Sequence, residues 1–323
     1  MLQYVIRRLL FNIPVFLGII LFVMGALRVR DPAHMRVGKN PTQKELDRFR
    51  SMAGLDKAFH EQFVEFLVGN KKEKRSPFGF QNESWDKQGK KVGELLTAAV
   101  GPTLAITLPA MIFTAIISIV IGLISAFNRG KLLDRTLMTL AVLGMSVSFL
   151  VYILLGQYFG SFKPAVTWDW RIFAVQGFDT SHPAWWFYYC LLPVLISTIV
   201  AMGYDTRYYR AVMVEESTKD YIRTARAKGL KESRVMFKHM LRNAAVSIIT
   251  RLMITFPFLI MGSILLEVYF NIPGMGRMLI TAITGGDFPV IQTFTAVFAV
   301  VFILSNILTD VLYAIADPRV RLS

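Results

Sequence analysis

The chain has 323 residues, 54% hydrophobic and only 18% charged, with a formal net charge of +14. An ordinary soluble domain carries about 25% charged residues spread among its apolar ones; here the apolar residues come in unbroken blocks, which excludes a soluble enzyme and a disordered tail. Gly101 to Phe127, Thr136 to Phe162 and Pro183 to Tyr204 hold no charge; each is as long as the ~20 residues a spanning helix needs, and too long for the ~10-residue alternating strands of an outer-membrane barrel.

The positive charge fits cytoplasmic loops better than a nucleic-acid surface, and no nucleic acid is expected as a partner. The one cysteine, Cys190, sits in an apolar block, so no disulfide forms within the chain. His34, His60, His182 and His239 are scattered without ligand spacing, and no metal site is expected.

In chain order, Leu9 to Leu27 is the first apolar stretch, preceded by Arg7 and Arg8. It is longer than the apolar core of a secretory signal peptide and no small-x-small cleavage site follows. It reads as an uncleaved span with its N-terminus inside, so residues 1–27 are the N-terminal segment and first transmembrane helix. Residues 28–100 form a polar extracytoplasmic region with 15 Lys/Arg and 10 Asp/Glu. The positive-inside rule weakens for loops beyond about 60 residues, so this basic loop can lie outside. Within it, Glu45 to Val68 has apolar residues at helical intervals, and Pro77 to Gly93 reads as loop.

The second span is Gly101 to Phe127, followed by the short basic loop Asn128 to Arg135. The third runs from about Thr136 to Gly160, and the fourth from Trp185-Trp186 to about Tyr204, with aromatics at its outer end. Asp205 to Arg242 is a second polar segment. The fifth span is the shortest, because only Leu252 to Leu266 separates Arg251 from Glu267; it reaches membrane length if both charges sit at its ends. Val268 to Asp287 reads as a Gly- and Pro-rich loop, Phe288 to Thr309 as the sixth span, and residues 316–323 as a cytoplasmic tail. The expected fold is an all-α membrane protein of six transmembrane helices with both termini cytoplasmic. Residues 101–315 form the transmembrane part, interrupted by the cytoplasmic loop 205–242. Among short loops the Lys/Arg bias fixes this orientation.

The 205–242 loop carries the most information. Around its single glycine, Gly229, good helix formers run from Arg210 to Lys228 and from Glu232 to Asn243. Gly229 falls where a helix end needs positive φ. Ala225 and Ala227 flank Arg226, giving a small-residue helix with basic arms that can enter a groove on another protein. Val235, Met236, Met240 and Leu241 form an apolar stripe that could return the second helix to the bilayer surface. Arg251 and Asp310 lie near the cytoplasmic ends of spans five and six; either Arg251 snorkels and Asp310 sits at the water boundary, or the two form an ion pair that fixes the register of those spans.

Asp220-Tyr221-Ile222-Arg223-Thr224-Ala225-Arg226-Ala227-Lys228-Gly229-Leu230, followed by His239-Met240-Leu241-Arg242-Asn243-Ala244, resembles the cytoplasmic loop of ABC importer permeases of the oligopeptide/dipeptide/nickel type. Arg223, Thr224, Ala225 and Gly229 fall on the importer motif E-A-A-x-x-x-G, with Arg in place of Glu. Ile6-Arg7-Arg8-Leu9-Leu10 with Ile13-Pro14 is similar to the family's opening. Glu267 to Gly276 is similar to its E-x-x-F-x-x-P-G-x-G stretch. Asn306, Asp310, Tyr313 and Asp317-Pro318-Arg319 are similar to its C-terminal end. The chain departs from the pattern at Arg30-Asp31-Pro32, where the family has Pro-Gly-Asp-Pro, and in the basic run Lys71 to Arg75.

The resemblance implies a permease subunit without chemistry of its own, in a multi-pass position in the bacterial inner membrane. Residues 223–229 would couple it to two cytoplasmic ABC ATPase subunits, which bind ATP and Mg. Its other implied partners are a second homologous permease subunit, an extracytoplasmic substrate-binding protein and membrane lipid; the implied cargo is peptide. The residues agree: no G-x-x-x-x-G-K-[ST] phosphate loop occurs, and no Ser-His-Asp set lies on a recognisable elbow. This chain thus needs no cofactor and no catalytic residue. Two alternatives are an ion-coupled secondary transporter and a membrane scaffold. The first calls for ionisable residues at mid-membrane, which spans two, three, four and six lack; the second calls for a larger soluble domain than residues 28–100 offer.

Overall fold

The computed structural model describes residues 2–29, 31–37, 41–70, 76–181, 183–261 and 263–316. The basic run Lys71 to Arg75, Arg30, and the tail from Asp317 onward lie outside the described residues. Among those described, every named element is helical: α1 (Leu2–Ala26), α2 (Pro32–Arg36), α3 (Gln43–Ala53), α4 (Phe59–Val68), α5 (Val92–Phe127), α6 (Leu132–Ser146), α7 (Phe149–Gln157), α8 (Lys163–Trp168), α9 (Leu191–Ser217), α10 (Asp220–Ala227), α11 (Glu232–Arg234), α12 (Leu241–Asn243), α13 (Ala245–Met261), α14 (Ile264–Tyr269), α15 (Met275–Gly285) and α16 (Phe288–Ala316). Four helices are long and apolar enough to cross a membrane: Ile6–Ala26, Val92–Phe127, Trp186–Ser217 and Phe288–Tyr313. A fifth crossing is made if α6 and the α7–α8 segment, bent 89° apart, form one broken span; Ala245–Leu259 is a shorter apolar helix.

Several boundaries differ from the sequence expectation, each for a local reason. The fourth span does not end at Tyr204. Its helix continues to Ser217, because Asp205, Arg207 and Arg210 are solvated or paired and nothing between them breaks a helix. The 32 residues from Trp186 make roughly 48 Å of helix, longer than the ~30 Å hydrocarbon core, so its last turns emerge from the bilayer. The third span is not continuous: Val147 is extended (φ −90°, ψ 136°) and Ser148 starts a new helix. The Gly/Pro-rich stretch Val268 to Asp287 is not a loop throughout. It contains α15, with Gly274 at its N-terminus and Gly286 in the left-handed region at its C-terminus (φ 67°), so the glycines cap a helix instead of breaking one.

The chain divides into two compact units. One comprises Met1–Thr103, Ile260–Ile264 and Pro273–Ile307. Helices α3 and α4 stand in it where the helical spacing of Glu45 to Val68 placed helices. Its cores are the cluster around Ile20, Met24, Phe66 and Ala296 and the cluster of Val92, Leu96, Met275, Leu279, Ile291 and Phe294. A buried acid, Asp287, ties the polar region to the start of α16. It accepts from the Ser84 hydroxyl and from the backbone N–H groups of Trp85 and Asp86, both at 3.2 Å. Trp85 then packs on Phe49 and Phe288, with ring centroids 5.1 and 5.4 Å away.

The other unit comprises Leu104–Leu259, Leu265–Ile272 and Leu308–Ser323. One core gathers Ile106, Ile153, Cys190, Val194, Leu266, Phe270 and Ile272. The second gathers Leu123, Tyr209, Met213, Ile222, Ala225, Val235, Met236, Met240 and Ile248, and it carries the loop of interest. Helices α6 and α9 come into close contact at Gly203, where a Cβ would meet the Ala141 carbonyl oxygen at 2.9 Å; only glycine permits that approach.

Candidate functional site: the coupling loop

The loop is a short hairpin of helices built on the emergent end of α9. Thr218 and Lys219 break the helix, and α10 starts at Asp220. The break is tied by Glu216, nearly buried, which accepts from Lys219 Nζ at 2.5 Å and from the Tyr221 hydroxyl. Burial, and the Glu216 carboxylate beside it, push the Tyr221 phenol above its ordinary range, so it stays a donor.

Helix α10 ends in a paired-bond turn. Gly229 N–H donates to the Arg226 carbonyl at 2.9 Å and Leu230 N–H to the Ala225 carbonyl at 3.4 Å. Gly229 has φ +71°, as its place between two helices required. A Cβ built there would meet nothing within 4 Å, so the glycine is needed for its backbone angle alone. Arg226 Nε bridges the turn to Glu232 Oε1 at 2.9 Å, with both side chains nearly half exposed. Past the turn, α11 runs through a π-helical turn, Val235–Met240, into α12.

The residues sort into two faces. Ile222 and Ala225 point inward, onto Tyr209, Met213, Val235, Met236 and Met240. Ala225 is therefore part of the loop's own core and does not flank Arg226 on an outer face. The apolar stripe Val235, Met236, Met240 is likewise spent on α9 and α10, with Leu241 packed at its edge, and is not free to lie on a bilayer. A stripe on so short a helix buries its apolar area most readily against the neighbouring turns of its own chain. Arg223, Thr224, Arg226, Ala227, Lys228 and Gly229 are exposed. Thr224 Oγ1 donates to its own Asp220 carbonyl at 3.0 Å, and the Arg223–Asp220 pair is loose at 3.4 Å. The outer face is thus a small-residue ridge with three basic arms, held on a rigid base.

Two ion pairs anchor α9 just before the loop. Asp134 at the start of α6 is buried and receives four hydrogen bonds. Arg210 Nε and Nη2 each donate at 2.6 Å, Ser125 Oγ at 2.5 Å and Gly130 N–H at 2.9 Å. The sequence signal for this pair is a lone acid, Asp134, in the basic stretch Asn128 to Arg135. The second pair corrects an expectation. Arg251 is held by Asp205, with Nη2 at 2.7 Å and Nε at 2.8 Å from Oδ1, and lies over the Tyr208 ring. The pairing of Arg251 with Asp310 is replaced by this one. The sequence places Asp205 in a loop; the continued α9 brings it alongside α13. Tyr313, near Asp310 on α16, donates to Thr250 Oγ1 at 2.7 Å.

Residues 118–322 match the family described as "Binding-protein-dependent transport system inner membrane component", and residues 1–81 match its N-terminal companion family. The chain is similar to "Probable peptide ABC transporter permease protein y4tP" of Sinorhizobium fredii, at 33% identity over 98% of this chain and 99% of that one. It is also similar to "Glutathione transport system permease protein GsiC" of Salmonella choleraesuis, at 35% identity over 99% of both. Among solved structures it is similar to a chain of the MetNI methionine ABC transporter in an inward-facing conformation. The TM-score is 0.55 at 18% identity, over 70% of this chain and 97% of that chain, a likeness of fold. With the family matched over most of its length and relatives aligned end to end, the chain belongs to the binding-protein-dependent transport system inner membrane components, as a multi-pass permease component of the bacterial inner membrane.

Proposed function

We propose that the chain is the permease subunit of an ATP-driven peptide importer. It forms the translocation path with a second homologous permease subunit, takes cargo from an extracytoplasmic substrate-binding protein, and is driven by two cytoplasmic ABC ATPase subunits that bind the ATP and Mg. It needs no cofactor and carries no catalytic residue. In this reading it has six spans with both termini cytoplasmic, Ala245–Leu259 and the broken α6–α7 pair completing the count.

The supporting observation is the exposed ridge of Arg223, Thr224, Arg226, Ala227, Lys228 and Gly229 on a base that is packed, capped and ion-paired to α6 and α13. An ATPase cleft that grips this ridge would move α9 with it. Peptide as cargo is supported by relatives named for peptide and glutathione transport. Co-expression of this chain with its ATPase and permease partners, followed by purification through this chain, tests the assembly; peptide uptake in proteoliposomes tests the cargo.

Two expected outcomes bear on the ridge. Gly229→Val places a β-branched residue at φ +71°, a strain of about 1–2 kcal/mol. It is expected to misdirect the ridge, so that peptide-stimulated ATPase activity falls while membrane insertion persists. Gly229→Asn, tolerant of left-handed backbone, is expected to retain most coupling; equal loss in both variants argues against the backbone account. Arg226→Glu is expected to weaken ATPase association by about 1 kcal/mol, and added salt to weaken the wild-type complex. The swap Arg226→Glu/Glu232→Arg restores the intraloop bridge. Association that recovers fully in the swap would show that Arg226 serves the turn and not the partner.

A further inference from the structure

The break between α6 and α7 lies at a depth where irregular backbone needs a reason. Ser197 on α9 stands eleven residues beyond Trp186, about 16 Å along the helix and near the middle of the ~30 Å hydrocarbon core. Beside it, Val147 leaves helical geometry and Ser148 begins α7 without a side-chain capping bond. Ser146, Val147 and Ser148 are all exposed. Lipid-facing breaks do not occur in spanning segments, because lipid offers the freed backbone groups no hydrogen bonds; such breaks line water or protein.

The surface continues from this break along one side of the α6–α9 pair. A hollow of about 530 Å³ has apolar walls, Met145, Phe149 and Val200 among them, set with Ser146, Ser148, Ser197 and Tyr204, and a second of about 550 Å³ sets Tyr204 and Arg207 beside Met138 and Val142. Tyr204 is the shared wall. Ser197, Ala201, Tyr204 and Tyr208 follow one face of α9, so the two hollows form a single groove about 15–20 Å long.

The charges in the groove are unequal. Arg210 is neutralised by Asp134. Arg207 is exposed, and its one hydrogen bond among the described residues is to Met145 Sδ at 3.3 Å, a weak acceptor. A guanidinium so placed is a fork for a carboxylate.

We infer that this groove is the segment of the substrate track contributed by this chain: a water-lined path that starts at the α6–α7 break, where Ser148 and Ser197 meet peptide amides, and ends at Arg207, which takes the peptide's carboxylate. The inference rests on the peptide-importer reading and assigns it residues. A salt-bridged partner for Arg207 on a peptide is attractive because the anion competes only with a thioether and water. Tyr204, half exposed between the two ends, supplies a flat apolar wall with a polar tip for side chains of varied size.

The test uses the assembled transporter in proteoliposomes. The chain's own Cys190 is fully buried, so new cysteines stand out. Ser148→Cys and Ser197→Cys are exposed to a charged, membrane-impermeant thiosulfonate, with and without a saturating tripeptide. Both are expected to react, and peptide to slow the reaction severalfold. Uptake of one tripeptide as the free acid and as the C-terminal amide is compared in wild type, Arg207→Gln and Arg207→Lys. The wild type is expected to favour the acid by about tenfold, Arg207→Gln to bring the ratio near one, and Arg207→Lys to keep part of it. Cysteines that do not react overturn the track and indicate a face covered by protein or lipid; cysteines that react regardless of peptide overturn it too, as a water-facing surface that peptide does not visit. An acid preference unchanged in Arg207→Gln overturns the role of Arg207. If the wild type takes up neither peptide, peptide is refuted as the cargo and the track with it, whatever the reactivity of Ser148→Cys and Ser197→Cys.

Discussion

Asp134→Leu is expected to cost about 3–5 kcal/mol of folding stability, the most of any single replacement around the loop end of α9. Asp134 is 3% exposed, and its two oxygens are filled by Arg210 Nε, Arg210 Nη2, Ser125 Oγ and Gly130 N–H. Removing the carboxylate leaves a guanidinium about three-quarters buried with nothing to receive its protons. A hydroxyl and a backbone N–H are orphaned with it. The double variant Asp134→Leu/Arg210→Leu takes away both charges and is expected to recover roughly half of the loss. Asp134→Asn keeps the shape but turns an NH₂ toward the guanidinium, so it should resemble Asp134→Leu more than the wild type. Thermal unfolding in detergent of the wild type, Asp134→Leu, Arg210→Leu and the double variant gives the four corners of the cycle. Additive single effects would rule out the pair as the source of the stability. The same variants reach function through α9: with Arg210 released from α6, ATP hydrolysis should continue while less peptide crosses per ATP.

The parts of this architecture that are legible in the sequence are those set by long-range composition. Uncharged blocks mark α1, α5, α9 and α16 because a bilayer imposes length directly on the chain. The positive φ of Gly229 was legible because the residues on either side are good helix formers and only glycine fits such a junction at no cost. What escaped depends on neighbours distant in sequence. No proline or glycine marks the break at Val147–Ser148; the signal is a bare Ser-Val-Ser inside an apolar block. The extension of α9 past Tyr204 was hidden because a charged stretch reads as solvated loop, whereas Asp205 and Arg210 are each paired to another helix. Ala225 reads as a small surface residue until Val235 and Met236 are folded onto it. In α15 the sequence reads as loop because of its Pro and Gly residues, yet Pro273-Gly274 and Gly285-Gly286 bracket the helix, and between them the one glycine is Gly276 in the first turn.

The Arg251–Asp205 pair differs from the Asp134–Arg210 pair in a way that yields a distinct expectation. Here the acid is on α9 and the base on α13, and Arg251 is about one-third exposed, so water screens part of what a single deletion costs. Arg251→Leu is expected to lose about 2–3 kcal/mol, less than Asp134→Leu. Asp205→Leu should be the costlier of its two single replacements. The guanidinium left behind still lies over the Tyr208 ring, 5.7 Å from its centroid, but loses its only carboxylate among the described residues. The exchange Asp205→Arg/Arg251→Asp restores opposite charges between α9 and α13 but moves the cation away from Tyr208, so it should recover part of the loss and not all of it. Asp310→Leu provides the control for the register pair first expected from the sequence. A cycle between Arg251 and Asp310 should show additive effects, and one between Arg251 and Asp205 a coupling of more than about 1 kcal/mol. The reverse result would return Arg251 to Asp310 and place the register lock between α13 and α16. Because the two α9 pairs hold it to different helices through charges of opposite order, losing either one should loosen α9 on one side only. Combining Asp134→Leu with Arg251→Leu, which share no partner, should therefore add in stability; the ridge at 223–229 would then have no charged tether to α6 or α13, and uptake should fall below that of either single variant while ATPase binding persists.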